Sequence, residues 1–363
     1  MTTIAEPLTA AQIAAVDQPV FGGVDTHADT HTAVAIDAAG RLLAHRQFPA
    51  TAAGYTALTG WLAGHGRVQL VGVEGTGVYG AGLARHLGAA GIALVEVDRP
   101  DRKTRRFAGK SDPIDAEAAA RAALSGRQTG TPKTRTGPVE AARTLRVARR
   151  SAIAARTEAL VQLKALVITA PEPLRAQLRE LTTRRLLTTC AALRPDCTQF
   201  ADPTQATKTA LRTLARRHAQ LSTEIDELDA LLTPLVKQIN PQLTAANGVG
   251  TDVAGQLLVT AGDNPQRLRS EAAFAALCGI SPIPASSGRT HRHRLNRGGD
   301  RQANAAIYHV VLCRMRWDPR TRAYVQRRTK EGLSKKDIMR CLKRYIAREL
   351  YYLLTTPPSA RTA

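Results

Sequence analysis

The stretch GKSDPIDAEAAARAAL, residues 109–124, carries two aspartates, Asp112 and Asp115, where an alanine-rich run begins. A three-residue spacing puts both carboxylates on one face of a helix starting there. Asp25, in GVDTH, and Glu74, in GVEGTG, each close an apolar, β-branched run that reads as a strand. Four carboxylates brought together repel one another and resist burial unless something offsets their charge. Divalent cations do so, and hard oxygen ligands suit Mg²⁺ or Mn²⁺. Two such ions about 4 Å apart would stabilise the attacking and leaving oxygens of phosphoryl transfer. Each acid taken alone has a plainer reading: Asp25 as a turn cap, Glu74 as a solvated strand end, Asp112 before Pro113 as a first-turn helix residue. Taken together, at two strand ends and one helix start, they favour the metal site.

A second constellation lies in GISPIPASSGRTHRHRLNRGGDRQAN. Ser286 and Ser287 precede Gly288, and Arg289, Arg292, Arg294, Arg297 and Arg301 follow, with His291 and His293 interleaved. A serine hydroxyl needs activation to act as a nucleophile. Clustered guanidiniums can neutralise a phosphate and the charge that grows as it is displaced. The composition of this loop alone fits a Ser-Gly turn in a nucleic-acid-binding loop, or a nucleophile aimed at a phosphodiester. Lys110, beside the aspartates, is a further phosphate contact candidate. His27 and His31 flank the first strand end, either as extra ligands or, in the plainer reading, as solvated turn residues. Tyr79 follows the Glu74 strand. Tyr308, Trp317, Tyr324 and Tyr345 lie among arginines, which suits base stacking, although core packing explains most aromatics of this kind.

These residues need elements to position them. FGGVDTH, HTAVAIDAAG and RLLAHRQFPA read as three strands, TAAGYTALTGWLAGHG as a helix, and VQLVGVEGTG as a buried strand. VYGAGLARHLGAAG is a helix, IALVEVD a strand, and the Asp112 stretch a final helix. The order β-β-β-α-β-α-β-α implies a mixed sheet with helices packed on it, its first and fourth strands able to be neighbours. Residues 1–18 form a flexible leader and residues 19–137 this α/β domain. Residues 138–240 hold two long amphipathic helices suited to a coiled coil or hairpin. Residues 241–354 form a helical, arginine-rich C-terminal domain, and 355–363 a tail. Within it, GVGTDVAGQLLVTAG resembles a helix-hairpin-helix, whose turn offers backbone N–H groups to phosphate; a tight packing turn is the equal alternative. No Gly-Lys-Ser/Thr follows, so ATP use is not implied.

Composition bounds the partners. The 363 residues include 51 Lys+Arg against 30 Asp+Glu, a formal net charge of +21. Such an excess points to a polyanion, nucleic acid first. The five cysteines show no paired spacing, so neither a disulfide framework nor a zinc site is expected. No apolar run suggests a membrane span and the N-terminus lacks secretory features, so a cytoplasmic, nucleoid-associated protein is expected.

In order along the chain, GVDTH, VEGTGVYG, KSDPIDAEAAARA and GISPIPASSGRTHRHRLNRGGDRQ resemble the signature segments of the DEDD transposases of insertion-sequence family one-ten, relatives of the Piv-type DNA invertases. The resemblance runs from Phe21 to about Leu354. It implies an RNase H-like (RuvC-like) N-terminal domain, with Asp25, Glu74, Asp112 and Asp115 as catalytic residues and ligands of Mg²⁺, or of Mn²⁺. It implies that a serine in the C-terminal loop forms a phosphoserine bond with DNA. The position before the glycine matches Ser287, with Ser286 as the alternative. It further implies guidance to donor and target DNA by a non-coding bridge RNA, and assembly as a homodimer or homotetramer in which acidic and serine domains of different protomers complete one site. An RNA-independent DNA invertase and a metal-dependent junction nuclease are the alternative activities.

Overall fold

The computed structural model describes residues 18–97, 111–127, 130–199, 201–290 and 292–356. Lys110 and His291 lie outside them, as does most of the leader. The chain divides into two compact units: residues 1–137 with 260–274, and residues 138–259 with 275–363.

The first unit is built on a five-stranded sheet. Strands β1 (Pro19–Thr26), β2 (Thr30–Asp37), β3 (Leu42–Pro49), β4 (Arg67–Glu74) and β5 (Leu94–Val97) lie in the order β3-β2-β1-β4-β5. β1 pairs antiparallel with β2 and β2 with β3, while β4 runs parallel to both β1 and β5. The short β1–β2 and β2–β3 links permit only antiparallel pairing, and the helical crossovers permit the parallel pairs. Helices α1 (Ala52–Ala63) and α2 (Ala81–Ala89) cover one face. There Val20, Val24, Val71 and Val73 pack with Leu58, Leu62, Leu83 and Leu87, all fully buried.

Helix α3 (Asp112–Leu124) covers the other face, and the sequence shows why it comes so close. Gly23 and Gly72 are register partners on β1 and β4. A Cβ on Gly23 would stand 2.1 Å from the Ala116 carbonyl oxygen, and one on Gly72 would stand 2.3 Å from that of Ala119. Backbone therefore lies on backbone. On α3 the buried positions are Asp115 and Ala116, Ala119, Ala120 and Ala123. The alanine run is the contact surface, flanked by Val34 and Ile36.

The second unit is helical. Its frame is α4 (Pro138–Thr169) against a long helix, Pro203–Ile239. Between them come α5 (Glu172–Leu178) and α6 (Thr183–Ala191), which makes Pro203–Ile239 α7. Arg149 pairs with Asp229 and Arg156 Nη1 donates to Ser222 Oγ, so α4 and α7 run antiparallel. Leu163 and Val167 meet Leu211 and Ala215 in a cluster closed by Leu174, Leu178, Leu186 and Cys190. The frame is thus a helical hairpin with a two-helix insert at its end. The chain continues through α8 (Pro241–Ala245), α9 (Thr251–Ala261) and α10 (Glu271–Leu277), the small hairpin β6 (Ile283–Pro284)–β7 (His293–Arg294), and α11 (Arg301–Trp317), α12 (Pro319–Lys330) and α13 (Lys335–Thr355). Arg149 also reaches Asp252, tying α9 to the frame. Among the described residues no helix is long and apolar enough to cross a membrane.

Candidate functional site

Side chains alternate along a strand, so Asp25 shares the α3 face with Gly23, and Glu74 shares it with Gly72. Both end parallel neighbours, one step beyond the Val24–Val73 pair. The first turn of α3 adds Asp112 and Asp115 on the same side. Asp25 and Asp115 are buried, while Asp112 and Glu74 are half-buried. Burial, first, pushes the Asp25 carboxyl above its ordinary range; His27 opposes this, and Glu74, Asp112 and Asp115 add to it. The three other acids all act on Asp25, so the four sequence-selected carboxylates are neighbours.

Capping does not account for the two aspartates of α3. Ser111 occupies the N-cap, and Asp115 is buried although it is an acid in the first turn. Two features hold the Glu74 end in place. Thr26 Oγ1 donates to the Glu74 carbonyl at 2.8 Å, and Thr76 Oγ1 donates to Glu96 Oε1 at 2.6 Å. Gly75 turns the chain between them at φ +69°, a conformation that favours glycine.

The donor set fits a divalent cation. Asp25, His27 and Asp112 each offer one ligand atom, and these lie within 4.8 Å of one another. Carboxylate oxygens suit Mg²⁺ or Mn²⁺, and an added imidazole suits transition metals. His27 Nδ1 stands 3.7 Å from Asp25 Oδ2. The sequence left His27 open as an extra ligand or a solvated turn residue, and its ring lies in the donor set. His31 departs from both readings. It is fully buried on the opposite face, stacked on Tyr55 at 5.6 Å, with Nδ1 against the Thr30 carbonyl. It is neither solvated nor near the acids' face. Tyr79 is exposed.

In the second unit the serine loop is a tight hairpin. Ser287 and Thr290 exchange both backbone hydrogen bonds, with Gly288 at φ +54° in the turn, as two-residue hairpins of this hand require. The serines differ. Ser286 Oγ accepts from the Arg292 N–H at 3.2 Å and lies 3.3 Å from its carbonyl. No described residue engages the Ser287 hydroxyl. Arg289, Arg292, Arg294, Arg297 and Arg301 are all exposed, and none of them has a carboxylate partner among the described residues. The aromatics depart from the core reading. Trp317 and Tyr345 are largely exposed, and Tyr308 and Tyr324 half-buried. Arg316 lies over the Trp317 ring at 4.8 Å and Tyr324 meets Tyr345 edge-on at 5.8 Å.

The strand order, the parallel β1–β4 pair and the acidic cluster at its end are consistent with an RNase H-like fold of the DEDD type. Comparison with known proteins agrees. Residues 22–170 match a family model described as a transposase, of the DEDD IS110 type, and residues 240–326 match one described as Transposase IS116/IS110/IS902 family. Both matched segments point to the same family, the IS110 transposases. The chain is similar to an uncharacterized 43.6 kDa protein of insertion element IS110 from Streptomyces coelicolor, 34% identical over 108 residues, 29% of this chain and 26% of the relative. It is also similar to an uncharacterized 42 kDa protein of insertion element IS900 from Mycobacterium paratuberculosis, 28% identical over 131 residues, 35% of this chain and 33% of that one. The aligned stretches thus span a third or less of these relatives.

Proposed function

We propose that this protein is a DNA transposase that cuts and rejoins DNA through a phosphoserine intermediate. The observation that carries the reading is the meeting of Asp25, Glu74, Asp112 and Asp115 at one sheet end, in a chain of this family. Ser287 Oγ loses its proton and forms an ester bond to a backbone phosphorus, and the displaced sugar oxygen leaves as a hydroxyl. Attack by a hydroxyl of another strand reverses the step and frees the serine, so bond energy is conserved without a nucleotide cofactor. The Ser287 hydroxyl, without a partner among the described residues, favours it over Ser286, whose oxygen is committed to the Arg292 backbone.

Asp25, Asp112, Asp115 and Glu74, with His27, would hold Mg²⁺ or Mn²⁺. A bound ion would supply charge neutralisation and Lewis-acid polarisation of the phosphate. The chain's own groups do the rest. The carboxylates fix the position of the cation, and the exposed arginines after Ser287 offset phosphate charge as it develops. Lys110 and Arg289, Arg292, Arg294, Arg297 and Arg301 are assigned to the nucleic-acid backbone. In this reading a bridge RNA supplies sequence choice, since base pairing can select a site while protein contacts the backbone. The protein works as a homodimer or homotetramer.

The test uses purified protein, end-labelled donor-end DNA, the RNA transcribed from the element's flank, and Mg²⁺. A protein–DNA adduct that survives denaturation is expected. It should be lost in Ser287→Ala and Asp112→Ala and kept in Ser286→Ala. Cleavage without an adduct, indifferent to both serine changes, would replace this reading with a metal-dependent nuclease.

A further inference from the structure

At the root of the serine hairpin, where residue 280 leads into β6 and residue 295 leaves β7, lies a cavity of about 490 Å³. Arg297, Arg301, Arg340 and Lys343 line it, and among the described residues no carboxylate does. Arg297 and Arg301 have no acidic partner among the described residues, and Arg340 shares Asp337 at 2.6 Å outside the lining. Four cations converging on one concavity repel each other, and without an anion that arrangement is unfavourable.

Lys343 is not there as loose surface charge. It is half-buried on α13, and its Nζ donates to Asn304 Oδ1 at 2.7 Å. Asn304 in turn donates from Nδ2 to the Cys278 carbonyl at 2.8 Å. One amide therefore locks the ammonium to the turn from which the hairpin springs. Burial draws Lys343 below the ordinary lysine range, a cost that a bound anion would offset. The turn itself is tightly packed. A Cβ on Gly299 would fall 2.2 Å from the Gly279 nitrogen, so the two backbones are pressed together behind the cavity.

We propose that this cavity is a phosphate seat for a nucleic-acid strand, with Lys343 as its inner ligand, Arg340 at its exposed rim and Asn304 as the residue that positions Lys343. The inference rests on the nucleic-acid reading above and adds Arg340 and Lys343, from a helix distant in the chain, to the Arg297 and Arg301 already assigned to the nucleic-acid backbone. Ser287 lies on the hairpin that leaves the cavity between Ile280 and Leu295. DNA lying along the hairpin with one phosphate at Ser287 would bring a nearby phosphate of the same strand to the seat. The seat would thus fix the register of the strand relative to the nucleophile.

The experiment measures the affinity of the full chain for a 30-base-pair duplex as a function of salt, and its melting temperature with and without pyrophosphate. One phosphate contact contributes about 0.9 to the slope of log affinity against log salt. Arg340→Gln and Lys343→Gln together should lower that slope by about 0.9, with Arg292→Gln lowering it separately. Arg340→Gln alone, on an exposed side chain, keeps the test valid should the Lys343 variant fold poorly. An unchanged slope in both cavity variants, with a lowered slope in Arg292→Gln, would overturn the seat and leave the proposed function standing. Unchanged slopes in all of them would overturn both. Pyrophosphate stabilisation lost in Lys343→Gln, with the DNA slope unchanged, would assign the cavity to a small free anion and overturn the strand seat.

Discussion

The pairing of Gly23 with Gly72 is what lets α3 carry its aspartates to the strand ends, and a single methyl tests it. In Gly23→Ala the new Cβ would begin 2.1 Å from the Ala116 oxygen and 2.2 Å from the Ala120 nitrogen. Both are backbone atoms, so no side chain can turn away. Restoring an ordinary 3.4 Å contact requires the helix to move by about 1.3 Å. Asp112 and Asp115 ride on the helix, while Asp25 and Glu74 stay on the strands. The ligand atoms of Asp25, His27 and Asp112 lie within 4.8 Å of one another, so such a shift is a large fraction of the site. Overpacking of this kind costs about 1–3 kcal/mol of stability, and a misplacement of about 1 Å costs about 100-fold in rate. Gly72→Ala, at 2.3 Å from the Ala119 oxygen, should behave alike. Gly60 is the control: a Cβ there meets nothing within 4 Å on a helix, so Gly60→Ala should gain about 0.5–1 kcal/mol. The assays are denaturant unfolding and Mn²⁺ titration. Wild-type stability together with wild-type Mn²⁺ affinity in Gly23→Ala would refute the reasoning.

In EDTA, Asp25→Asn should be more stable than wild type at neutral pH. The native pKa of Asp25 is raised, so the native state holds its proton longer than the unfolded chain. Stability contributed by Asp25 then falls as pH rises from the unfolded value near 3.8 through the raised native one; a melting series across that range, in which stability at the upper end gains in Asp25→Asn relative to wild type, checks the sign. Glu349→Gln should destabilise the second unit by about 1–3 kcal/mol, because it breaks a two-bonded pair with the buried Arg314, discounted for the exposure of the glutamate; urea unfolding measures it. Asn264→Ala should cost the first unit a similar amount, about 1–3 kcal/mol, since Asn264 bonds both the Pro132 carbonyl and the Thr134 N–H from a buried position. Hydrogen exchange at Thr134 should rise with it.

Much of the first unit could be read from local pattern. The strand and helix order and the four acids follow from apolar runs, turn residues and carboxylates placed at element ends. Two features of the site could not be read this way. His27 enters the donor set because the β1–β2 turn brings its ring to 3.7 Å from Asp25 Oδ2, whereas the sequence offered both His27 and the buried His31 as ligands or turn residues without separating them. Ser286 and Ser287 are equivalent in composition. Hairpin register separates them, by committing one hydroxyl to the Arg292 backbone and leaving the other without a partner among the described residues.

Lys343 stands 56 positions beyond Ser287 in a helix rich in cations, and nothing local marks it apart from its neighbours. By itself, then, the sequence determined which residues carry charge and chemistry, and which segments alternate or coil, because those properties depend on neighbours a few positions apart. Which of them meet depended on long-range packing. The glycine pair admits α3 to the sheet, and Asn304 joins one helix to a distant turn. Such contacts join backbone atoms and side chains far apart in the chain, so only the tertiary structure decided them.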